Sequence, residues 1–387
     1  AQGLGNIGDP DSIEPLLTVL NDFVPDVRAA AALALGNIGD VHCVNHLIVT
    51  LNDSDVEVRN AAAEALGMIG DIRAVKPLIN TLSLEGYMFE ELRGVSALSL
   101  GSLGDSSAVE PLIDVLNDTP YVRLRSIMAL GMIEDTRAVW PLVGVLNDNI
   151  ENFRAEAASS LGKIGDIRAI QPLIKLLDDD FDEVKCESIQ ALGLIGDKIV
   201  VKPILKFVND PNEEIRSMAI MALGNMRVET EIDTLINALN DPSGKVRFCA
   251  VNGLGRMNNV GIVEPLIEVI RTDQLEGMIA SAVIGLCEMD NTDATEIFLN
   301  YLNDINPHVR FASATALGNI GDVRALEPLI NTLNDEEIGV REVSATSLGN
   351  IADARAVEPL INALSDPDDA VRNAAAKALN KIDNQQE

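Results

Sequence analysis

The sequence predicts an all-α fold, an α-α superhelical solenoid of about twelve repeats of roughly 31 residues. Three observations predict it. A Leu-Gly-x-Ile-Gly-Asp phrase returns along the whole chain, apolar residues recur at helical spacing between its occurrences, and aromatic residues are almost absent. With 47% hydrophobic but only 3% aromatic residues, the interior must be built from Leu, Ile, Val and Ala, which is the chemistry of helices packed on helices. The anchoring leucines are Leu4, Leu35, Leu66, Leu100, Leu130, Leu161, Leu192, Leu223, Leu254, Leu286, Leu317, Leu348 and Leu379. Most intervals are 31 residues and the exceptions are 34, 30 and 32, so insertions and deletions fall in loops between equivalent units.

One repeat gives the local logic. Leu317-Gly318-Asn319-Ile320-Gly321-Asp322 closes one helix and turns, and Ala325 through Leu333 forms the next. Pro328 has no amide hydrogen to donate, so it belongs in the first turn of that short helix, where the donor would be orphaned anyway. Asn334-Asp335 ends the helix with turn-forming side chains, and Val340 through Leu348 carries the apolar spacing of a second, longer helix. In every second helix the residue before a fixed, usually basic position is apolar, the third residue after it is Ala or Ser, and the seventh is Leu. These spacings share one helix face. Small residues there let neighbouring helices approach, and a lone helix pair could not cover the face by itself, so each repeat needs its neighbours.

The polar pattern is as regular. An aspartate occupies the turn between the two helices of ten repeats (Asp22, Asp53, Asp118, Asp148, Asp179, Asp210, Asp241, Asp304, Asp335, Asp366). Arg28, Arg59, Arg93, Arg123, Arg154, Arg216, Arg247, Arg310, Arg341 and Arg372 open the second helices, with Lys185 and Ile279 as exceptions. Repeated at one period, these charges are expected to stack into a structural ladder. An isolated exposed pair is worth roughly 0–1 kcal/mol, and a partly buried network can exceed that.

Charge and motifs exclude several function classes. The chain has 29 basic and 60 acidic residues, a formal net charge of -31, which repels a phosphate backbone and argues against nucleic acid as a partner. Cys43, Cys186, Cys249 and Cys287 form no CxxC pair, so they read as reduced and mostly buried, not as a zinc site or a disulfide framework. No apolar run is long enough to insert in a membrane, and the chain reads as soluble and cytoplasmic. No Walker loop, dinucleotide-binding glycine motif or nucleophile elbow occurs; the glycines of the repeated phrase read as helix-terminus residues. His42 and His46 stand four apart without a third ligand, so no metal and no cofactor is expected.

The domain expectation is a single continuous solenoid over residues 1–387. The opening Ala1 to Asp9 matches the end of a repeat, as if the chain began inside a longer protein, and 380–387 reads as a polar C-terminal end.

The phrase Leu-Gly-Asn-Ile-Gly-Asp-x-Arg-Ala-x-Glu-Pro-Leu-Ile-Asn-x-Leu-Asn-Asp, followed by Val-Arg, resembles the HEAT-like repeats of the phycobilisome (PBS) lyase type, and the resemblance covers essentially the whole chain. It implies a right-handed superhelix with first helices on the convex side and second helices lining a concave surface. Family members serve as scaffolds, chaperone-like factors and chromophore lyase subunits. A metal-dependent hydroxylase on similar repeats would need His-Glu pairs, and none is present. The sequence departs from the pattern where Pro is replaced by His46, Thr234 and Ile297, which puts those first helices in question. The third repeat inserts residues around Ser83–Glu91 and loses the ladder aspartate; the ninth, at Arg271–Ile279, loses both ladder members. Both contain Leu-Glu-Gly, consistent with a six-repeat duplication.

If one face of the second helix packs inward, positions two before, one after and five after the arginine face the concave solvent. With a neighbour, they supply Leu98, Tyr121, Leu124, Met128, Met218, Met221, Phe248, Ile284, His308 and Phe311 as candidate groove residues. Adaptable methionines and aromatics at exposed positions suit a partner protein's peptide or helix. The alternatives are burial by tight curvature or scattered surface residues, which are common. Asp26, Glu57, Glu64, Glu91, Glu183 and Glu214 on the same face favour a basic or amphipathic partner segment, within a larger complex. Tyr87, Met88 and Phe89 in the insertion form a second candidate contact, unless they fold back over the neighbouring repeat. The expected function is a non-catalytic protein-binding scaffold or adaptor. The alternative, motivated by the resemblance, is a phycobilin (tetrapyrrole) lyase or its chaperone-like subunit, with Cys186 and Cys249 on or beside the concave face.

Overall fold

The computed structural model describes residues 9–273 and 275–386. The opening phrase around Leu4 and the final Glu387 lie outside the described residues. All regular structure among them is helical, with 24 α-helices, most of the shorter ones entered through a 3-10 turn. The chain divides into two compact units, Ala1–Val200 and Val201–Glu387.

In the first unit, long second helices run over Pro25–Ile38, Val56–Ile69, Glu90–Leu103, Pro120–Ile133, Glu151–Ile164 and Asp182–Ile195. Each packs on the next in sequence and on the short first helix of its own repeat, as Val44–Thr50 does on Val56–Ile69. In the second unit the corresponding helices are Glu213–Asn225, Gly244–Gly255, Glu276–Cys287, Pro307–Ile320, Ile338–Ile351 and Asp369–Gln386, stacked in the same way. Each unit is thus an α solenoid of helix pairs.

The leucine register is the core. Leu35, Leu66, Leu100, Leu130, Leu161, Leu192, Leu223, Leu254, Leu286, Leu317 and Leu348 are fully buried, whereas Leu379 near the end of the array is half-buried. The Ala or Ser three residues after the basic position is buried in all repeats, from Ala31 to Ala375. At Ser126, Ser188, Ser313 and Ser344 the hydroxyl donates to the carbonyl four residues earlier, whereas the Ser96 hydroxyl at the same position is buried without a partner among the described residues.

Four expectations are corrected. First, the glycine that follows most of the anchoring leucines lies inside the second helix and faces the next one, Gly255, the last residue of its helix, being the exception in position. A Cβ on Gly131 would come within 2.4 Å of Ser160 Oγ, and one on Gly318 within 2.3 Å of Ser347 Oγ. Only the second glycine of the phrase is a left-handed C-cap, as at Gly321 with φ +72°. Second, the first helices that lack proline, Val44–Thr50, Ile232–Ala238 and Thr295–Tyr301, have seven residues, the same length as the proline-bearing Leu326–Thr332. Proline is compatible with that first turn but is not what starts the helix. In most repeats the 3-10 turn that leads into the helix is capped by a preceding aspartate, whose carboxylate accepts the amide two residues on, as Asp322 does from Arg324; Asn291 does the same before Thr295–Tyr301, and Ile232–Ala238 forms without such a cap. Third, the second helix that follows Asn334-Asp335 is longer than its apolar spacing, running over Ile338–Ile351. Fourth, the polar C-terminal stretch continues a helix, and Ile382 within it is buried.

Candidate partner-binding site

The side chains that hold the second helices in register form the frame of the site. Arg28 donates to Asp53 of the following repeat at 2.8 and 2.6 Å, and to the carbonyl of Asp22 in its own turn at 2.9 Å. Arg154 spans Asp179 and the carbonyl of Asp148 in the same way; Arg216, Arg310 and Arg341 repeat it in the second unit. Each of these rungs therefore ties two repeats together. The Arg154 and Asp179 side chains are only 11% and 9% exposed. Hydrogen bonds from Arg28, Arg154, Arg216 and Arg341 hold Asp53, Asp179, Asp241 and Asp366 below the usual carboxylate range.

A second set of rungs sits at the start of the first helices. Asp71, Asp135 and Asp353 each take a hydrogen bond from the arginine two residues on, which brings their pKa down to about 2. Arg73, Arg137 and Arg168 also donate to backbone carbonyls of the preceding repeat, those of Val41, Ser106 and Thr136. The Asp-x-Arg spacing in the repeated phrase is the sequence signal for this row.

The ladder is irregular at two places. In the third repeat no aspartate reaches Arg59, and its guanidinium lies over the Phe89 ring instead, 5.2 Å from the centroid. In the ninth repeat the expectation that both ladder members are lost is corrected. Asp273 accepts from Arg247 Nε at 3.2 Å, and Arg271 pairs with Asp304. The charges are present but displaced from the usual register.

A cavity adjoins each irregular repeat. In the second unit, about 550 Å³ is lined by Glu276, Ile279, Ala280, Val283, Ile284, His308 and Phe311. Ile279, standing where the arginine would be, makes this wall apolar; Ile284 is 57% exposed, and the Phe311 ring lies 3.7 Å from where a Cβ on Gly339 would sit. In the first unit, about 410 Å³ is lined by Val56, Tyr87, Met88, Glu90, Glu91 and Tyr121. Tyr87 and Met88 are exposed, whereas Phe89 is half-buried, so the inserted triplet splits into one anchor and two surface residues.

The expected groove residues are therefore only partly gathered. Ile284, His308 and Phe311 share one cavity, and Tyr87, Met88 and Tyr121 share the other. Leu98, Leu124, Met128, Met218 and Met221 are half-buried and Phe248 is exposed; all six lie outside both cavities. The arginine-relative rule points to Ala280 and Ile284 but misses Ile279, which stands at the position it takes as structural, and Glu276 and Val283, which lie at other offsets. Among the described residues no group of His, Cys, Asp or Glu could hold a metal ion, and no helix is long and apolar enough to cross a membrane. Only Cys43 is fully buried; Cys186, Cys249 and Cys287 are half-buried, which corrects the expectation of mostly buried thiols. Burial pushes the Cys249 and Cys287 thiols up, so neither is a ready thiolate at neutral pH.

Among solved structures, the chain is similar to an engineered protein at 20% identity, covering 96% of this chain and 99% of that one with a TM-score of 0.44. It is similar to human deoxyhypusine hydroxylase in complex with glycerol (23% identity, 74% and 99% covered, TM-score 0.31). It is also similar to the complex of CpcE and CpcF of phycocyanin lyase from Nostoc sp. PCC7120 (21% identity, 71% and 94% covered, TM-score 0.35). No curated protein matches the sequence. The family described as HEAT repeats matches residues 1–48, 13–85, 44–121, 109–193, 170–255, 201–283, 263–337 and 326–387, and the chain belongs to that family.

Proposed function

We propose that this chain is a non-catalytic protein-binding scaffold whose second helices hold a basic or amphipathic segment of a partner protein. The observation that carries the reading is the apolar cavity of the second unit, where Ile279, Val283, Ile284 and Phe311 line a space of about 550 Å³ with Glu276 and His308 as its polar members. Apolar residues flanked by acidic ones suit the apolar face of a helix whose other side is cationic. The finer affiliation, with repeats of the phycobilisome-lyase type, is supported by the phrase at Leu317–Asp335. The four cysteines, spaced without a CxxC pair, fit a cytoplasmic location.

The test is affinity purification from the native source with the wild-type chain and with an Ile284→Ser/Phe311→Ser variant. The expected result is a partner lost selectively from the variant while its unfolding transition stays close to wild type. A parallel variant with polar residues at Tyr121, Leu124 and Met128 asks whether the same face contributes in the first unit. An identical set of partners on wild type and both variants would contradict the reading.

A further inference from the structure

We infer that the cavity at the inserted loop of the first unit receives an arginine or lysine side chain of a partner protein. The inference rests on the reading of the chain as a protein-binding scaffold, and it concerns a different site from the apolar cavity tested above. The cavity, about 410 Å³, brings together the rings of Tyr87 and Tyr121, the carboxylates of Glu90 and Glu91, and the aliphatic surfaces of Val56 and Met88. A cationic head finds aromatic faces and negative charge there, and its methylene stem finds apolar contacts. Neither carboxylate forms an ion pair with another described residue.

The arrangement is built into the backbone. Gly86 adopts φ +105°, a conformation that L side chains rarely adopt, and turns the chain into the short Tyr87–Phe89 helix. Phe89 then folds against Arg59, replacing the missing ladder aspartate, and leaves Tyr87 87% exposed beside the cavity. On the other wall, the Tyr121 ring occupies the space of the absent side chain at Gly94, where a Cβ would come within 2.3 Å of it. The chain's net charge of -31 adds a long-range pull on any basic segment.

The probe is a short fluorescein-labelled peptide rich in arginine, compared with the same peptide carrying citrulline, which keeps the shape and removes the charge. Both are titrated into the full chain at physiological salt, where the Debye length of about 8 Å screens distant charges. The expected result is binding of the arginine peptide, with the citrulline peptide weaker by roughly tenfold or more. Tyr87→Ala and Glu90→Gln/Glu91→Gln should each weaken the arginine peptide by a similar factor, while Glu57→Gln/Glu64→Gln, on a second helix but outside the cavity, should leave affinity within about twofold. Tyr87 and Glu91 are exposed and Glu90 is half-buried, so unchanged unfolding curves will show that these variants fold. Equal losses in the control variant would mean diffuse attraction to an acidic surface and overturn the inference, as would equal binding of the citrulline peptide or no binding at all. The Ile284→Ser/Phe311→Ser variant should bind the arginine peptide like wild type; its failure to lose a native partner would count against the apolar cavity alone.

Discussion

The third and ninth repeats both break the arginine–aspartate ladder, and they repair it with different chemistry. At the third, the aspartate is gone and Arg59 is held by the Phe89 ring and by the carbonyl of Asp53 at 2.7 Å. At the ninth, the arginine is gone from the helix position, and Arg271 and Asp273, displaced in sequence, complete the neighbouring rungs. The third lacks the carboxylate and keeps the ring contact, which regular rungs such as Arg154 over Phe181 make beside theirs; the ninth conserves both charges and moves them. Each leaves a cavity of matching character: cation-seeking where a carboxylate partner was lost, apolar where a guanidinium was replaced by Ile279. On the proposed reading, both candidate binding sites lie where a structural position is released from its structural role.

Acid should separate these regions most strongly. The ladder aspartates have depressed pKa values when folded, so their stabilising contribution is fully present above the unfolded value of about 4 and is lost as pH falls below it through their lowered folded values. Amide exchange at the regular junctions, such as Glu151–Ile164 against Asp182–Ile195, should accelerate through that window. The junction held by Arg59 and Phe89 has no carboxylate at its rung and should change less over the same range.

Single substitutions should rank in the same way. Arg154→Ala removes a guanidinium from a nearly buried pair and strands Asp179, a cost of about 2–3 kcal/mol in unfolding experiments. Asp273→Ala strands Arg247, whose side chain is 24% exposed, so the cost should fall to about 1–2 kcal/mol. Phe89→Leu removes only a cation–ring contact and should cost about 1 kcal/mol or less. If Phe89→Leu proved as damaging as Arg154→Ala, the ring would be doing more than replacing a carboxylate. A similarly small effect is expected for Ser160→Ala, which deletes one inter-repeat hydrogen bond to the Ile127 carbonyl, 3.0 Å long, at a cost of about 1 kcal/mol.

Much of this architecture is legible in the sequence because a repeat states its own rules many times over. The leucine register, the small residue on the packing face and the aspartate–arginine pairing all follow from periodicity, and Leu35 through Leu348 are buried as that periodicity requires. What stays hidden depends on breaks in the period. Asp273 escapes the pattern because an altered loop puts it 26 residues after Arg247, where the regular rungs, such as Arg154 to Asp179, span 25. The glycine after most of the leucines reads as a terminus residue in the sequence because only the approach of the next helix reveals its function. The two cavities are only partly legible from position relative to the arginine, which gives Ile284, His308, Phe311 and Tyr121 among their lining residues, since one also uses the arginine position itself and the other a loop whose course is fixed by Gly86.

Each rung binds a repeat to the one after it, not merely its own two helices. A double-mutant cycle on Arg154→Ala and Asp179→Ala, read by amide exchange in the helices Glu151–Ile164 and Asp182–Ile195, tests this directly. The account predicts a coupling of about 2 kcal/mol, expressed in both helices. Additive effects within about 0.3 kcal/mol, or protection lost in only one of the two helices, would contradict it.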